Sequence, residues 1–414
     1  MVDRHGVSRP TILLLGGSQD QLFAINTARE LGMRILVTDR DTAAPGFAIA
    51  DEYATVSTRD VEELKRLCDD SRQRGHPVTG VLVMGSDIPQ VVAKLAEYLG
   101  TPGISRETAR IASHKYKMKL RFAERGIPLP WFCLVEDARH LHAIAAERGY
   151  PLVLKPVDRS GARGVFRLTE GCDLDALYDV SCKLAYSGKV MVEEYLVGLQ
   201  ISTETIMWRR RGYTIGFADR NYEMLEHYAP NIIENGGTVP TGLAPAKRAM
   251  VETLVEQAAL ALGITDGVAK GDVVLTTEGP KMIEMAARLS GGDFSESLIP
   301  LGCGVNIVEA ALNIAIGEEP DLLKLQPRFN KAVVNRYFFP DPGKLVRIEG
   351  VELVENKPWV KKLEFWYKPG DMVPEIKSHS DRFGVFVVTG NNVEEVNSRA
   401  AWIYGNINIV TERL

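Results

Sequence analysis

The stretch that decides the fold runs from residue 271 to residue 293 and reads GDVVLTTEGPKMIEMAARLSGGD. Two short apolar runs, 273–275 and 281–285, lie on either side of the tetrad Thr277-Glu278-Gly279-Pro280. Apolar runs separated by turn-forming residues are typical of a β-hairpin. The stretch therefore predicts two antiparallel strands joined by a tight turn.

Charged residues and glycines occur on this predicted hairpin in an order that suits phosphate chemistry. Asp272 and Glu284 are separated by twelve positions, so their carboxylates converge on one sheet face if the strands pair around the turn. Arg288 and then Gly291 and Gly292 follow, and they offer a guanidinium and exposed backbone N–H groups. A Mg²⁺-nucleotide and an anionic substrate need these groups, although hairpins with solvated charged faces are also common.

Length and composition restrict the class of protein. A chain of 414 residues is expected to form two or three packed units. The net charge of −5 argues against nucleic acid or an anionic membrane surface as the main partner. The apolar runs have the length of strands rather than of membrane spans, and the first residues do not form a secretory signal. The five scattered cysteines form no C-x-x-C pair, so we expect reduced thiols in a cytoplasmic protein.

The order of predicted elements indicates a mixed α/β and α+β fold with three domains. Residues 1–113 alternate strands and helices, which predicts a βαβ unit with a parallel sheet. Residues 114–330 are expected to form an α+β domain, and residues 331–414 a strand-rich domain. The Gly16-Gly17 turn lacks the G-x-G-x-x-G pattern, so NAD binding there is disfavoured against a structural or substrate-contacting turn.

A second group of candidate residues surrounds Lys155. This lysine lies near the end of an apolar strand and precedes the glycine loop 158–164, which contains Gly161 and Gly164. A lysine beside a glycine loop can bind phosphates, but the loop is not a Walker motif and could equally be a solvent-exposed turn. Lys115 lies forty residues earlier, and residues 193–196 (EEYL) form an acidic strand end that is either a purine-binding edge or a charged edge.

Taken in order, these residues resemble the ATP-grasp superfamily. The resemblance implies a pre-ATP-grasp domain, an ATP-grasp domain with a lid subdomain at about 130–195, and ATP as the cofactor. It implies one set of residues that bind ATP: Lys115, Lys155, Gly161, Gly164, Glu193, Glu194, Tyr195, Leu196 and, for the ribose, Glu204. It makes Asp272 and Glu284 the ligands of Mg²⁺ or Mn²⁺. It assigns the substrate carboxylate and acyl-phosphate to Arg288, Gly291 and Gly292, and makes Arg288 and Lys155 the catalytic residues.

The last part of the chain narrows this resemblance. Residues 333–340 (VVNRYFFP) and 380–390 (SDRFGVFVVTG) are similar to the C-terminal domain of amino-acid-ligase-like members, the carboxylate–amine ligase subgroup. Two positions depart from the pattern. Many relatives place an asparagine two residues after the second metal ligand, where this chain has Ala286. Several relatives place a histidine where this chain has Gly237.

The resemblance implies an ATP-dependent carboxylate–amine ligase that acts through an acyl-phosphate on an amino acid or small carboxylic acid. Its expected partners are a small carboxylate and an amine, without nucleic acid or membrane, and a homodimer is left open. Bicarbonate or carbamoyl chemistry on the same fold is an alternative. A non-catalytic ATP-binding regulatory protein is another, and a nicotinamide-dependent oxidoreductase is the weakest.

Overall fold

The computed structural model describes residues 9–413. Its N-terminal domain is a parallel four-stranded sheet with the order β3-β2-β1-β4. The strands are β1 (Thr11–Leu15), β2 (Arg34–Asp39), β3 (Glu52–Thr55) and β4 (Val78–Leu82). The helices are α1 (Leu22–Glu30), α2 (Val61–Gln73) and α3 (Pro89–Leu99). Every residue of β1 is buried because helices cover both faces of a parallel sheet. The predicted βαβ domain is therefore confirmed.

Two helices lead into a small sheet within residues 132–194, called the lid sheet below; its role as a lid stays a prediction. The helices are α4 (Arg106–Ala112) and α5 (Lys115–Glu124). The sheet has the order β5-β8-β6-β7, and α6 and α7 pack on it. Its elements are β5 (Phe132–Val135), α6 (Ala138–Arg148), β6 (Leu152–Pro156), β7 (Phe166–Leu168), α7 (Leu174–Leu184) and β8 (Val190–Glu194). The sheet and its two helices have their own apolar core, so they form a separate subdomain.

A large sheet carries the hairpin of residues 267–286, which is called the metal hairpin below because the predicted metal ligands lie on it. Its strands and helices before residue 330 are β9 (Leu199–Trp208), β10 (Arg211–Arg220), β11 (Gly237–Val239), α8 (Pro245–Leu262), β12 (Gly267–Thr276), β13 (Gly279–Ala286), α9 (Ile299–Cys303) and α10 (Ile307–Ala315). Strand β9 lies between β10 and β12, and all its pairings are antiparallel. Helix α8 packs its apolar side against one face of this sheet. Part of the opposite face packs on α10, and another part carries the polar residues Ser202, Glu204 and Asp272.

The C-terminal region continues the same sheet. It contains β14 (Ala332–Tyr337), β15 (Gly343–Glu349), α11 (Val351–Glu355), β16 (Val360–Phe365), β17 (Met372–Val373), β18 (Gly384–Gly390), α12 (Val393–Asn406) and β19 (Asn408–Glu412). Strand β14 pairs with β11, which gives an eight-stranded sheet in the order β13-β12-β9-β10-β11-β14-β18-β16. Strands β17, β15 and β19 form a small separate sheet. The domain boundary predicted between residues 330 and 331 thus lies in a loop, and strands from both sides of that loop belong to the same sheet.

The N-terminal domain contacts the loop that follows the metal hairpin. Met84 and Leu289 form an isolated parallel bridge, and the Gly85 N–H donates to the Leu289 carbonyl at 3.1 Å. A Cβ on Gly291 would lie 2.9 Å from the Gly85 Cα, so the two backbones approach closely because both residues are glycine. Within residues 9–413, no helix is long and apolar enough to cross a membrane.

Candidate active site

The predicted hairpin is present, and it places the two candidate metal ligands opposite each other. Asp272 of β12 and Glu284 of β13 are direct cross-strand partners, so their side chains share one sheet face. Ser202 of β9 pairs with Asp272 on the other side and donates its hydroxyl to Asp272 Oδ1 at 2.6 Å. The ammonium of Lys270 contacts Asp272 Oδ2. Sequence reasoning missed Ser202 and Lys270, although the position of Lys270 two residues before Asp272 was a signal that both face the same way.

Glu284 lies among lysines that come from three elements. Lys115, at the start of α5, places its Nζ 3.2 Å from Glu284 Oε2 and donates to the carbonyl of Arg159 in the glycine loop at 2.7 Å. Burial opposes ionisation of Glu284, but the charges of Lys115, Lys155 and Lys270 outweigh burial and hold its pKa well below the ordinary value. Lys115 therefore links the glycine loop to the metal hairpin.

The carboxylate pair has the chemistry of a magnesium site. Mg²⁺ is usually held by one or two carboxylates together with water and substrate phosphates. Asp272 and Glu284 offer two such carboxylates on one face. The part of the chain that the structure describes contains no cluster of three or more His, Cys, Asp or Glu residues suited to a metal ion. The residues thus fit a phosphate-bound cation rather than a cation enclosed by protein, and their role as ligands stays a prediction.

A buried carboxylate holds two lysines under the lid sheet. Glu193 of β8 contacts the ammonium of Lys155, and its second oxygen lies 2.8 Å from the Nζ of Lys119. All three side chains are at most 5% exposed. Burial opposes ionisation of Glu193, but Lys119 and Lys155 outweigh burial and lower its pKa, whereas burial lowers the pKa of Lys119 to about 8. Sequence reasoning missed Lys119, although it lies four residues after Lys115 on the same helix face.

The glycine loop and the predicted adenine edge lie at opposite ends of the lid sheet strands. Gly161 and Gly164 have φ angles of 67° and 73°, which favour glycine. The carbonyl of Gly161 accepts the backbone N–H of His379 at 3.1 Å, so the C-terminal region contacts this loop. At the adenine edge, Glu194 is exposed, and its backbone N–H donates to the Trp131 carbonyl at 2.9 Å. Tyr195 and Leu196 follow at intermediate exposure, and the nucleotide-binding role of all these residues stays a prediction.

Arg288 is paired with a carboxylate of the N-terminal domain. Its Nε donates to Asp87 Oδ1 at 2.8 Å, and its Nη1 donates to the Leu289 carbonyl at 3.1 Å. Burial opposes ionisation of Asp87, but the guanidinium outweighs burial and lowers the pKa of Asp87. Sequence reasoning missed Asp87, which lies in the loop after β4, at the carboxyl end of a parallel strand where ligands commonly bind.

The groups next to Arg288 leave donors available. Asp293 and Glu296, two acids that follow this arginine closely in the sequence, contact Lys362 at 2.9 and 3.3 Å. Within residues 9–413, the backbone N–H groups of Gly291 and Gly292 donate to no protein acceptor. One guanidinium and two N–H groups without a protein acceptor therefore occur in the same segment after the hairpin. Their role in substrate binding stays a prediction.

Glu204 lies on the same sheet face as Asp272, next to the loop that contains Ser290 and Gly291. It is fully buried in β9, two residues beyond Ser202 on the same side of the strand. Its Oε1 accepts the backbone N–H of Ser290 at 3.0 Å. Burial raises the pKa of Glu204 to about 6, and the contacts with Ser290 only partly offset it. Glu204 thus fixes the loop before Gly291, and its contact with a ribose remains a prediction.

A buried ion cluster closes the far side of the face. Glu234 lies 2.7 Å from Arg220 and 2.8 Å from Arg382. Burial opposes its ionisation, but the two guanidinium groups outweigh burial and lower the pKa of Glu234 to about 2. Gly236 follows with a φ of 74°, and a Cβ there would overlap the carbonyl oxygen of Asn335. Sequence reasoning missed the two arginines because they lie far from Glu234 along the chain.

A polar cavity of about 190 Å³ lies at the carboxyl ends of the N-terminal strands. Its lining includes Gly16, Asp39 and Arg40 together with Ser86, which precedes Asp87. In parallel sheets, ligands bind outside the carboxyl ends of the strands. The Gly16-Gly17 turn, for which a structural or substrate-contacting role was predicted, is therefore one wall of a cavity next to the Arg288 ion pair. The Asp39 carboxylate also accepts the Gly17 N–H at 2.9 Å, which gives the turn a structural role.

Comparison with known families and proteins agrees with this architecture. Residues 112–292 match the model of an ATP-grasp domain, and residues 336–412 match the model of the L-amino acid ligase C-terminal domain 2. The crystal structure of an L-amino acid ligase from Bacillus licheniformis superposes with a TM-score of 0.82 at 19% identity, over 98% of this chain and 100% of that chain. That similarity supports the fold.

Two curated relatives are similar in sequence. The L-arginine-specific L-amino acid ligase of Bacillus subtilis is 25% identical over 292 residues, which are 69% of this chain and 69% of the relative. Carnosine synthase 1 of Homo sapiens is 25% identical over 338 residues. This region covers 75% of the chain but only 40% of the human protein. The chain therefore spans less than half of the length of that relative.

Proposed function

We propose that this chain, which belongs to the ATP-grasp family of carboxylate–amine ligases, joins an amino acid or small carboxylic acid to an amine through an acyl-phosphate. A carboxylate oxygen attacks the γ-phosphorus of ATP, the bond from that phosphorus to the β-phosphate oxygen breaks, and ADP leaves. The amine nitrogen then attacks the acyl carbon. Phosphate leaves with the oxygen that came from the carboxylate, and the nitrogen loses a proton.

One observation carries this proposal: at the junction with the N-terminal domain, a sheet face with paired carboxylates meets a lysine of α5 and a guanidinium from the loop after β13. Asp272 and Glu284 are cross-strand partners, and Lys115 lies 3.2 Å from Glu284. Arg288 follows the same strand and is fixed by Asp87 at 2.8 Å. Phosphoryl transfer depends mainly on positioning and on positive charge around the phosphates, and these groups supply both.

ATP is the nucleotide of the family, and the proposal adds Mg²⁺ as its counter-ion. Asp272 and Glu284 would hold the ion, which would neutralise charge on the phosphates when bound. Lys115 is the residue best placed to bind the phosphates, because it contacts both the glycine loop and Glu284. Lys155 would need to share its ammonium between Glu193 and a phosphate.

Arg288 is the proposed anchor of the acid substrate. Its Nε is held by Asp87, so the guanidinium plane is oriented before substrate binds. Within the described chain, Nη2 makes no hydrogen bond, and it lies in the same segment as the unpaired N–H groups of Gly291 and Gly292. An oriented guanidinium binds a carboxylate with defined geometry. The L-amino acid ligase and carnosine synthase relatives support an amino acid as one substrate.

The test is a screen of carboxylates and amines for phosphate release from ATP with Mg²⁺, with products identified by mass spectrometry. The productive acid is then labelled with ¹⁸O in its carboxylate. Transfer of one ¹⁸O into phosphate is expected, because the acyl-phosphate loses that oxygen to phosphate. ADP formation only with bicarbonate would favour the carboxylase-type alternative. ATP binding without any turnover would favour the regulatory alternative.

A matched variant distinguishes a true reaction from contaminating hydrolysis. Asp272→Asn should remove product and labelled phosphate together, whereas Glu278→Gln in the exposed hairpin turn should leave both unchanged. Cytoplasmic location and a homodimer stay predictions of the same proposal. Light scattering coupled to gel filtration measures the oligomeric state directly, and a dimer is expected to have twice the chain mass of 45.7 kDa.

A further inference from the structure

Lys270 is a charged residue on the metal-hairpin face that the proposed reaction does not use. We propose that its ammonium takes the place of a second divalent cation beside Asp272 and Glu284, so that the active site works with one Mg²⁺ ion. This inference rests on the proposed function, because it concerns the charge around bound ATP. It concerns a positioning residue, since Lys270 acts through the carboxylates that hold the ion.

The side chain of Lys270 is directed at the metal ligands by strand geometry. Residues 270 and 272 are two positions apart in β12, so both side chains are on the same sheet face. The Lys270 ammonium contacts Asp272 Oδ2, while Ser202 donates to Oδ1 at 2.6 Å. Both oxygens of Asp272 therefore have a protein donor. Lys270 is 15% exposed, so its ammonium is held inside the site rather than in bulk solvent.

On β13, the residue directly across from Lys270 supplies no metal ligand. Ala286 of β13 is the cross-strand partner of Lys270, as Glu284 is the partner of Asp272. On β9, the partner of Lys270 is Glu204, whose Oε1 accepts the backbone N–H of Ser290 at 3.0 Å. Lys270, Asp272, Glu284 and Ala286 form two pairs on this face, with the Gly271–Met285 pair between them. One pair consists of two carboxylates, and the other of a lysine and a methyl group. A second cation next to the carboxylate pair would need oxygen ligands from the second pair. This chain places a permanent cation there instead.

The number of available oxygens leads to the same conclusion. Mg²⁺ requires six ligands in near-octahedral geometry, and phosphates and water supply most of them at nucleotide sites. Asp272 and Glu284 together have four oxygens, of which three contact Lys270, Ser202 or Lys115. Within residues 9–413, no further His, Cys, Asp or Glu joins them in a metal-binding group. The protein ligands are thus sufficient for one phosphate-bound ion.

A resident ammonium would have a specific chemical effect. It adds positive charge next to the phosphates without the cost of dehydrating a second Mg²⁺ ion, and it is present at every Mg²⁺ concentration. We therefore expect the reaction rate to saturate once ATP is fully converted to its Mg²⁺ complex. A site with two ions would require additional free Mg²⁺ beyond that point.

The direct test counts bound Mn²⁺ by electron paramagnetic resonance in the presence of the non-hydrolysable analogue AMP-PNP. The parent protein should bind one Mn²⁺ per chain. Lys270→Gln removes the ammonium and adds an amide oxygen, so its count should rise to two. Lys270→Arg keeps the charge and should stay at one. Lys65→Gln is the matched control, since Lys65 makes a surface ion pair with Glu62 at 2.9 Å, and it should also stay at one.

Two Mn²⁺ ions in the parent protein would overturn the inference, and so would one ion in both the parent and Lys270→Gln. Calorimetric titration with AMP-PNP separates this failure from failure of the proposed function. Binding of AMP-PNP with two ions contradicts only the role of Lys270, whereas no binding of AMP-PNP contradicts both. Thermal unfolding shows whether the Lys270→Gln variant is folded. If it is not, the number of Mn²⁺ ions bound by the parent protein tests the inference.

Discussion

The Nε of Arg288 donates to the carboxylate of Asp87 at 2.8 Å, and this ion pair joins the loop after the metal hairpin to the N-terminal domain. The two residues are 201 positions apart in the sequence. The arginine side chain is 13% exposed, whereas the Asp87 side chain is 35% exposed, so the guanidinium is held mainly on the protein side of the pair. The pair therefore fixes the orientation of the guanidinium at the edge of the proposed substrate site.

Replacement of Arg288 by lysine should lower kcat/KM for the acid substrate by roughly 10- to 100-fold. Lysine keeps the charge but loses the planar fork, and hydrogen bonds to a charged group contribute about 1.5–3 kcal/mol. Steady-state kinetics with varied acid measures the change. Asp87→Asn should mainly raise KM, because it leaves Arg288 in place but less firmly oriented. Normal kinetics for Arg288→Lys with a lowered Tm would show that Arg288 only joins the domains.

Asp272→Asn and Glu284→Gln should each abolish turnover while the protein stays folded. Each change keeps the shape of the side chain but removes a charged oxygen from the proposed ion, which costs several kcal/mol of transition-state stabilisation. Phosphate release and circular dichroism measure the two effects. Glu278→Gln, in the exposed turn of the same hairpin, is the control. Retained turnover in either of the first two variants would contradict the metal assignment.

Lys155→Met and Lys119→Met test whether Lys155 binds phosphate or only neutralises Glu193. Both lysines contact the same carboxylate, and each variant leaves it with one cation. If Lys155 binds phosphate, its variant should weaken AMP-PNP binding at least about tenfold more than the Lys119 variant, since a charged hydrogen bond is lost. Calorimetry gives both affinities. Equal affinities would assign Lys155 to the ion cluster alone.

Gly236→Ala should destabilise the protein far more than Gly32→Ala. Both glycines have a φ near 75°, so the cost of a left-handed alanine, about 1–2 kcal/mol, is common to both variants. A Cβ on Gly236 would overlap the Asn335 carbonyl, whereas the space around Gly32 is open. Chemical unfolding measures the difference. Similar losses of stability would mean that the Glu234 loop moves freely away from β14.

Glu204→Gln should flatten the dependence of stability on pH between about 4.5 and 6. Burial raises the pKa of Glu204 to about 6, so the folded protein binds more protons than the unfolded chain in this window. Stability due to this group therefore falls as pH rises through the window, by about 2 kcal/mol for a shift of this size. The glutamine variant should not show this fall in the free energy of unfolding. Denaturant unfolding at several pH values measures the free energy for both proteins. An unchanged pH slope would contradict the assignment.

The amino-acid sequence by itself determined the local elements and their order. Helix α6 at 138–148 and helix α8 at 245–262 have local sequence signals at their ends, because a glycine follows each helix and Pro245 starts the second. The hairpin also followed from sequence, since two apolar runs flank a turn tetrad. Asp272 lies opposite Glu284 because the ladder shifts by one residue between Asp272 and Val273, and the fold decided this shift. Local signals do not identify every element. Strand β3 is a four-residue edge strand, which is too short for a clear periodic signal.

Only the tertiary structure decided which charged groups meet. Asp87 was not identified as the partner of Arg288, nor Glu193 as the shared partner of Lys119 and Lys155. It also decided that Lys270 lies across from Ala286, since register depends on the pairing of whole strands. Local periodicity sets the face on which a side chain lies. The identity of its partner depends on how distant elements pack, because the cost of burying an unpaired charge selects contacts that span the whole chain.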